Sequence, residues 1–216
     1  MAVIGENAVD CNLLTYCQNN PITYYDPSGH VIVIAESATD EEIEQYERAV
    51  AYIKKSDVGR ALIEKLENSE IIFTIAFTIG KGSSFSSEYQ VISINIYNGL
   101  ILKDGSVQCP ALSLAHEMGH AAQYIDGDLT MPSNLSPEGR EAFKRRKEEM
   151  NVATWEIPIA EELGIPHRPG YSESIGWETM NNSTHYRTTG THSFWWSLRP
   201  RNWGKSRHFA IEHNAT

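Results

Sequence analysis

The stretch LSLAHEMGHAAQ, residues 112–123, decides how this chain is read. His116 and His120 stand four residues apart, which on a helix places them on one face, one turn above the other. Two imidazoles at that spacing can bind one zinc ion. Glu117 projects from the next position and can reach a metal-bound water as general base. Leu112, Leu114, Ala115, Ala121 and Ala122 flank the motif and suit a buried helix, so the ligands belong inside the domain. Pro110 fits the first turn of that helix and Gly127 its end.

A catalytic zinc normally takes three protein ligands and keeps one position for water. Asp126, six residues beyond His120, has the offset of a third ligand in some zinc proteases. Those enzymes turn the chain back with a glycine three residues after the second histidine, where this chain has Gln123. The better candidates lie downstream: Glu148, Glu149 and Glu156.

Upstream, Thr39 with Glu42 forms a capping-box pattern, and Ile43, Tyr46, Val50 and Ile53 mark one helix face. Ser56 fits the start of a second helix carrying Val58, Leu62 and Leu66. Residues 71–79 (IIFTIAFTI) and 91–97 (VISINIY) are rich in β-branched and aromatic residues and read as two strands separated by a loop over 80–87. Asp104-Gly105 marks a turn. The expected fold class is α+β, with a small antiparallel sheet beside the metal-binding helix.

Composition sets the outer limits. Of 216 residues, 41% are apolar and 21% charged, as in a globular chain. Lys and Arg total 18 against 28 Asp and Glu, a net charge of −10, which argues against nucleic acid as the main partner. No apolar run approaches the length of a membrane-spanning helix, and residues 1–11 lack the basic start and apolar stretch of a secretory signal. Three cysteines make a disulfide framework improbable and fit synthesis in a reducing cytosol.

Residues 12–30, NLLTYCQNNPITYYDPSGH, are dense in turn formers. With Tyr16, Asn19-Asn20-Pro21 and Asp26-Pro27-Ser28-Gly29, the segment resembles the C-terminal edge of the core repeat of RHS proteins. In that family shell-forming repeats precede the motif and a variable toxin domain follows it. The resemblance implies an RHS remnant over residues 1–34 and a separate domain over 35–216. The last 45 residues shift again, toward tryptophan and arginine.

The His116-Glu117-Met118-Gly119-His120 motif, followed by Gly127, resembles the bacterial effector zinc metallopeptidases and is similar to clostridial neurotoxin light chains. Both carry a Glu-Glu pair after the metal motif whose second member ligates the metal. Glu148-Glu149 matches that pair, which implies Glu149 as third ligand and leaves Glu156 as its competitor. The surrounding residues 143–152 (FKRRKEEMNV) have the charge and length of an exposed helix, and metal ligation would give Glu149 a reason to turn inward. Glu156, before Ile157-Pro158, would then support a ligating histidine as a hydrogen-bond acceptor. Residues 156–171, EIPIAEELGIPHRPGY, resemble the closing motif of the effector family, with Arg168 and Tyr171 as its Arg-x-x-Tyr. That likeness implies that Arg168 and Tyr171 stabilise the oxyanion.

The resemblances together imply a zincin-like metallopeptidase with Zn2+ as cofactor, hydrolysing a protein substrate in a target cell. They imply the cargo of a larger RHS-type toxin, made in a bacterial cytoplasm, delivered or secreted, and countered by an immunity protein. Two rivals follow from the same residues: a non-catalytic metal-stabilised interaction module, and an interaction or shell protein in which the metal helix is incidental.

Overall fold

The computed structural model describes residues 32–80 and 82–189. The RHS-like motif over 12–30 and the tryptophan-rich stretch from residue 190 lie outside them. The first strand, β1 (Ile32–Ile34), leads into helices α1 (Asp40–Ile53) and α2 (Asp57–Glu67). Both helices begin where the sequence places caps. The Thr39 hydroxyl accepts from the Glu42 N–H at 3.2 Å while the Glu42 carboxylate accepts from the Thr39 N–H at 2.9 Å. The Ser56 hydroxyl accepts from the Gly59 N–H at 3.0 Å.

Strands β2 (Phe73–Phe77), β3 (Ser84–Ser86) and β4 (Val91–Ile94) complete a four-stranded sheet of order β1-β2-β4-β3. The chain is α+β, but this sheet is mixed, which corrects the expected antiparallel arrangement. β1, β2 and β4 run parallel, and β3 alone is antiparallel to β4. The cause lies in residues 80–87, read as loop for their glycine and serines. Ser84–Ser86 forms an edge strand there, since backbone pairing at an edge requires no apolar run. β4 then returns between β2 and β3, so the two apolar strands end up parallel. Ile32–Ile34 pairs with Phe73–Ile75 at the edge of this sheet.

A second, antiparallel sheet of order β6-β5-β7 comprises β5 (Asn98–Leu102), β6 (Val107–Gln108) and β7 (Ser174–Thr179). Between β6 and β7 lie α3 (Pro110–Ile125), α4 (Pro137–Asn151), a π-helical turn over Val152–Glu156 and α5 (Ile157–Leu163). Helix α3 is buried around most of its circumference, as its apolar composition requires. It contacts β3, β4 and β5 as well as α1, α2 and α4. Phe73, Ile75, Ile92 and Ile94 from the mixed sheet join Ile53, Leu62, Leu66, Leu112, Leu114 and Met118 in one core. The metal-motif helix is therefore the central element of the fold. It ends at Ile125 with Asp126 as its cap, and Gly127 follows with a φ of 74°, open to glycine at little cost. No helix among the described residues is long and apolar enough to cross a membrane.

Candidate metal centre

Helix α3 presents His116 and His120 on one face, their rings 4.8 Å apart and nearly perpendicular. The carboxylate that meets them comes from Glu148 in the last turn of α4. Its Oε2 lies 3.2 Å from His116 Nε2 and 3.0 Å from His120 Nε2. In a tetrahedral zinc site with bonds of about 2.0–2.1 Å, neighbouring donor atoms stand about 3.3 Å apart. The two histidine–carboxylate distances match that spacing, and with all three donor atoms within 4.8 Å of one another the group could hold a divalent metal. Among the described residues this group has three members, leaving room for a further ligand.

The opposite nitrogens of both rings are held by the protein. His116 Nδ1 lies 2.8 Å from Glu156 Oε2, and His120 Nδ1 lies 3.0 Å from Gln123 Oε1. With Nδ1 donating to these acceptors, removal of the Nε2 protons that face Glu148 would leave both Nε2 lone pairs for a metal, the tautomer zinc needs. Gln123 is fixed in turn by donating to the Lys147 carbonyl at 2.9 Å. Asn151, fully buried, donates to the His116 carbonyl at 2.7 Å. Sequence reasoning missed both amides. Gln123 lies one helical turn after His120, so its spacing alone could have suggested a support.

Glu156 is completely buried and bonded twice more by Arg168, through Nε at 2.9 Å and Nη2 at 2.8 Å. Such a bidentate pair compensates the burial of both charges. Arg168 also donates from Nη1 to the Tyr171 carbonyl at 2.9 Å, and its guanidinium sits 4.6 Å above the Tyr171 ring. That ring stacks on His116 with centroids 5.8 Å apart. Glu149, expected at the metal, is exposed and its Oε2 accepts the Tyr171 N–H at 3.1 Å. The structure thus brings His116, Glu117, His120, Arg168 and Tyr171 together with Glu148 and Glu156. It places Glu149 outside the histidine pair. Asp126 pairs with Lys65 at 2.6 Å, away from the cluster.

The reason Glu148 replaces Glu149 is angular. Successive helix residues differ in direction by about 100°, so only one of two adjacent carboxylates can face α3. Between Glu148 and Glu156 an unbroken α-helix would turn about 2.2 times and leave Glu156 roughly 80° out of phase. The wider π-turn at Val152–Glu156 takes up part of that excess, so both carboxylates meet the same histidine.

Charge follows geometry. Burial alone would lower the His116 pKa, but hydrogen bonds and charge from Glu148 and Glu156 push it up to about 9. Burial opposes ionisation of Glu148 and Glu156 too, yet their partners bring both down to about 2. In the metal-free chain a proton on His116 therefore takes the place of a cation among these carboxylates. Glu117 is buried on α3, and desolvation raises its pKa against the pull of His116 and His120. A carboxyl tuned upward suits proton transfer near neutral pH. Burial also raises the Tyr171 phenol, so it stays protonated and able to donate.

No protein-family model and no curated protein matches this chain.

Proposed function

We propose that this chain is a zinc-dependent endopeptidase, the cargo of an RHS-type polymorphic toxin. The observation that carries the catalytic reading is the meeting of His116 Nε2, His120 Nε2 and Glu148 Oε2 beside a buried Glu117. A zinc ion held by these three would supply Lewis acidity toward a scissile carbonyl and ease ionisation of a water. Glu117 takes the proton of that water on its carboxylate and passes it to the leaving amine nitrogen. Glu156 and Gln123 hold the two imidazoles in register. Arg168 spends most of its donors on Glu156 and on the Tyr171 carbonyl, so its part is to fix those groups. Tyr171, about a third exposed, is the better donor to the oxyanion. The toxin role is supported by the sequence motifs over residues 12–30.

Purified protein should carry about one zinc per chain, and the His116→Ala/His120→Ala double variant should carry none. Glu117→Gln should keep the zinc while hydrolysis falls by at least roughly a hundredfold. Where expression of the parent chain harms a host cell, Glu117→Gln should be tolerated. Undiminished zinc in the double variant would remove the metal site, and equal toxicity of Glu117→Gln would remove proteolysis as the cause of harm.

A further inference from the structure

Helix α4 ends its last turn with two adjacent carboxylates that go to different places. Glu148 reaches the histidines, while Glu149 reaches the loop between Leu163, the last residue of α5, and Ser174, the first of β7. That loop has no helix or strand of its own, and Pro166 and Pro169 contribute no N–H donors to it. Backbone bonds hold its two ends, from the Ile165 N–H to the Ala160 carbonyl and from the Lys103 N–H to the Glu173 carbonyl, and between them side chains seize the backbone at Tyr171. Tyr171 is gripped at both ends: its N–H donates to Glu149 Oε2 at 3.1 Å and its carbonyl accepts from Arg168 Nη1 at 2.9 Å. The loop passes close to this carboxylate at Gly170, where a Cβ would stand 3.3 Å from Glu149 Oε2. The gripped residue is the one whose ring lies on the metal-site His116.

We propose that Glu149 is a positioning residue: its carboxylate clamps the Tyr171 backbone and so holds the Tyr171 ring on His116. Its consequence for catalysis rests on the metallopeptidase reading, whereas the clamp itself stands on geometry and exists without metal. One helix thereby ties the metal carboxylate and the oxyanion donor to a common frame. A carboxylate that merely solubilised α4 would leave Tyr171 indifferent to its removal.

The test compares the full chain with Glu149→Ala and Glu149→Gln, each with and without zinc. Amide hydrogen exchange over residues 165–173 should quicken in Glu149→Ala by a factor of roughly three to ten, the range for loss of one typical intramolecular hydrogen bond. Glu149→Gln keeps an acceptor oxygen and should restore most of the protection. Fluorine NMR of 3-fluorotyrosine-labelled protein should show the Tyr171 resonance, identified by its loss in Tyr171→Phe, shifted in Glu149→Ala and returned in Glu149→Gln. Zinc content should stay at about one per chain in both variants. Unchanged exchange and an unshifted resonance in Glu149→Ala would overturn the clamp, as would loss of zinc, which would make Glu149 a ligand. A failed metal site would appear separately, as zinc kept by the His116→Ala/His120→Ala protein, while exchange in the metal-free chain would still decide the clamp.

Discussion

Glu117 and Glu148 are both carboxylates beside the same imidazoles, yet the protein pushes them in opposite directions. Glu117 makes no ion pair with either histidine, so desolvation dominates and its pKa rises. Glu148 accepts from both rings, and those bonds overcome its burial to hold it at about 2. On the metallopeptidase reading proposed above, the first trades protons and the second stays ionised as a ligand. The three downstream glutamates can be ranked on the same physics. Glu148→Ala removes a donor atom and should weaken zinc binding well beyond the ~10–100-fold that loss of a supporting acceptor costs. Glu156→Ala should fall within that supporting range, and Glu149→Ala should leave affinity nearly unchanged. Competition titrations against a chelator of known affinity measure all three. If Glu149→Ala weakened zinc more than Glu148→Ala, the ligand set would be wrong.

Where α3 crosses α4 and its π-turn, the packing leaves no room for a side chain at Gly119. A Cβ there would collide with Asn151 Oδ1 and stand 2.9 Å from Trp155 Cδ1. Gly119→Ala should therefore destabilise the fold by about 1–3 kcal/mol, the usual cost of overpacking, and Asn151→Ala added to it should recover part of the loss. Denaturant melts of the three proteins would show this, and equal midpoints for parent and Gly119→Ala would refute it. The motif helix was legible in the sequence because apolar residues and the i, i+4 histidines agree on one structure. The capped helices α1 and α2 were legible for the same reason. The third carboxylate was not, since choosing between Glu148 and Glu149 needs the helix phase to within one residue. The position of Glu156 was hidden too, because the π-turn at Val152–Glu156 shifts its phase without a compositional mark. β3 was hidden because serines at a sheet edge pair through backbone alone. β7 was hidden because Gly176 and the exposed Ile175 and Trp177 obscure its alternation.

At the scale of the molecule, the candidate metal centre joins the central helix to α4 and to the loop before β7, so its charge state bears on the stability of the whole. In the metal-free protein the His116 pKa of about 9 exceeds its ordinary 6.5. Its contribution is complete below pH 6.5 and is lost as pH rises through 9. Glu148 and Glu156, at about 2 against an ordinary 4.5, contribute fully above pH 4.5 and lose that contribution as pH falls toward 2. The cluster therefore favours the metal-free fold most between pH 4.5 and 6.5. Zinc must displace the His116 proton, so its binding strengthens with pH and releases a proton near neutrality. At free zinc 100 times its dissociation constant, the gain in stability is about 2.7 kcal/mol. At one fixed free zinc concentration, the difference in Tm between zinc-loaded and metal-free protein should widen steadily from pH 5 to pH 8. Calorimetric melts at each pH measure it directly. A difference that stayed flat across that range would mean that zinc does not compete with the His116 proton, and the ion would have to bind elsewhere.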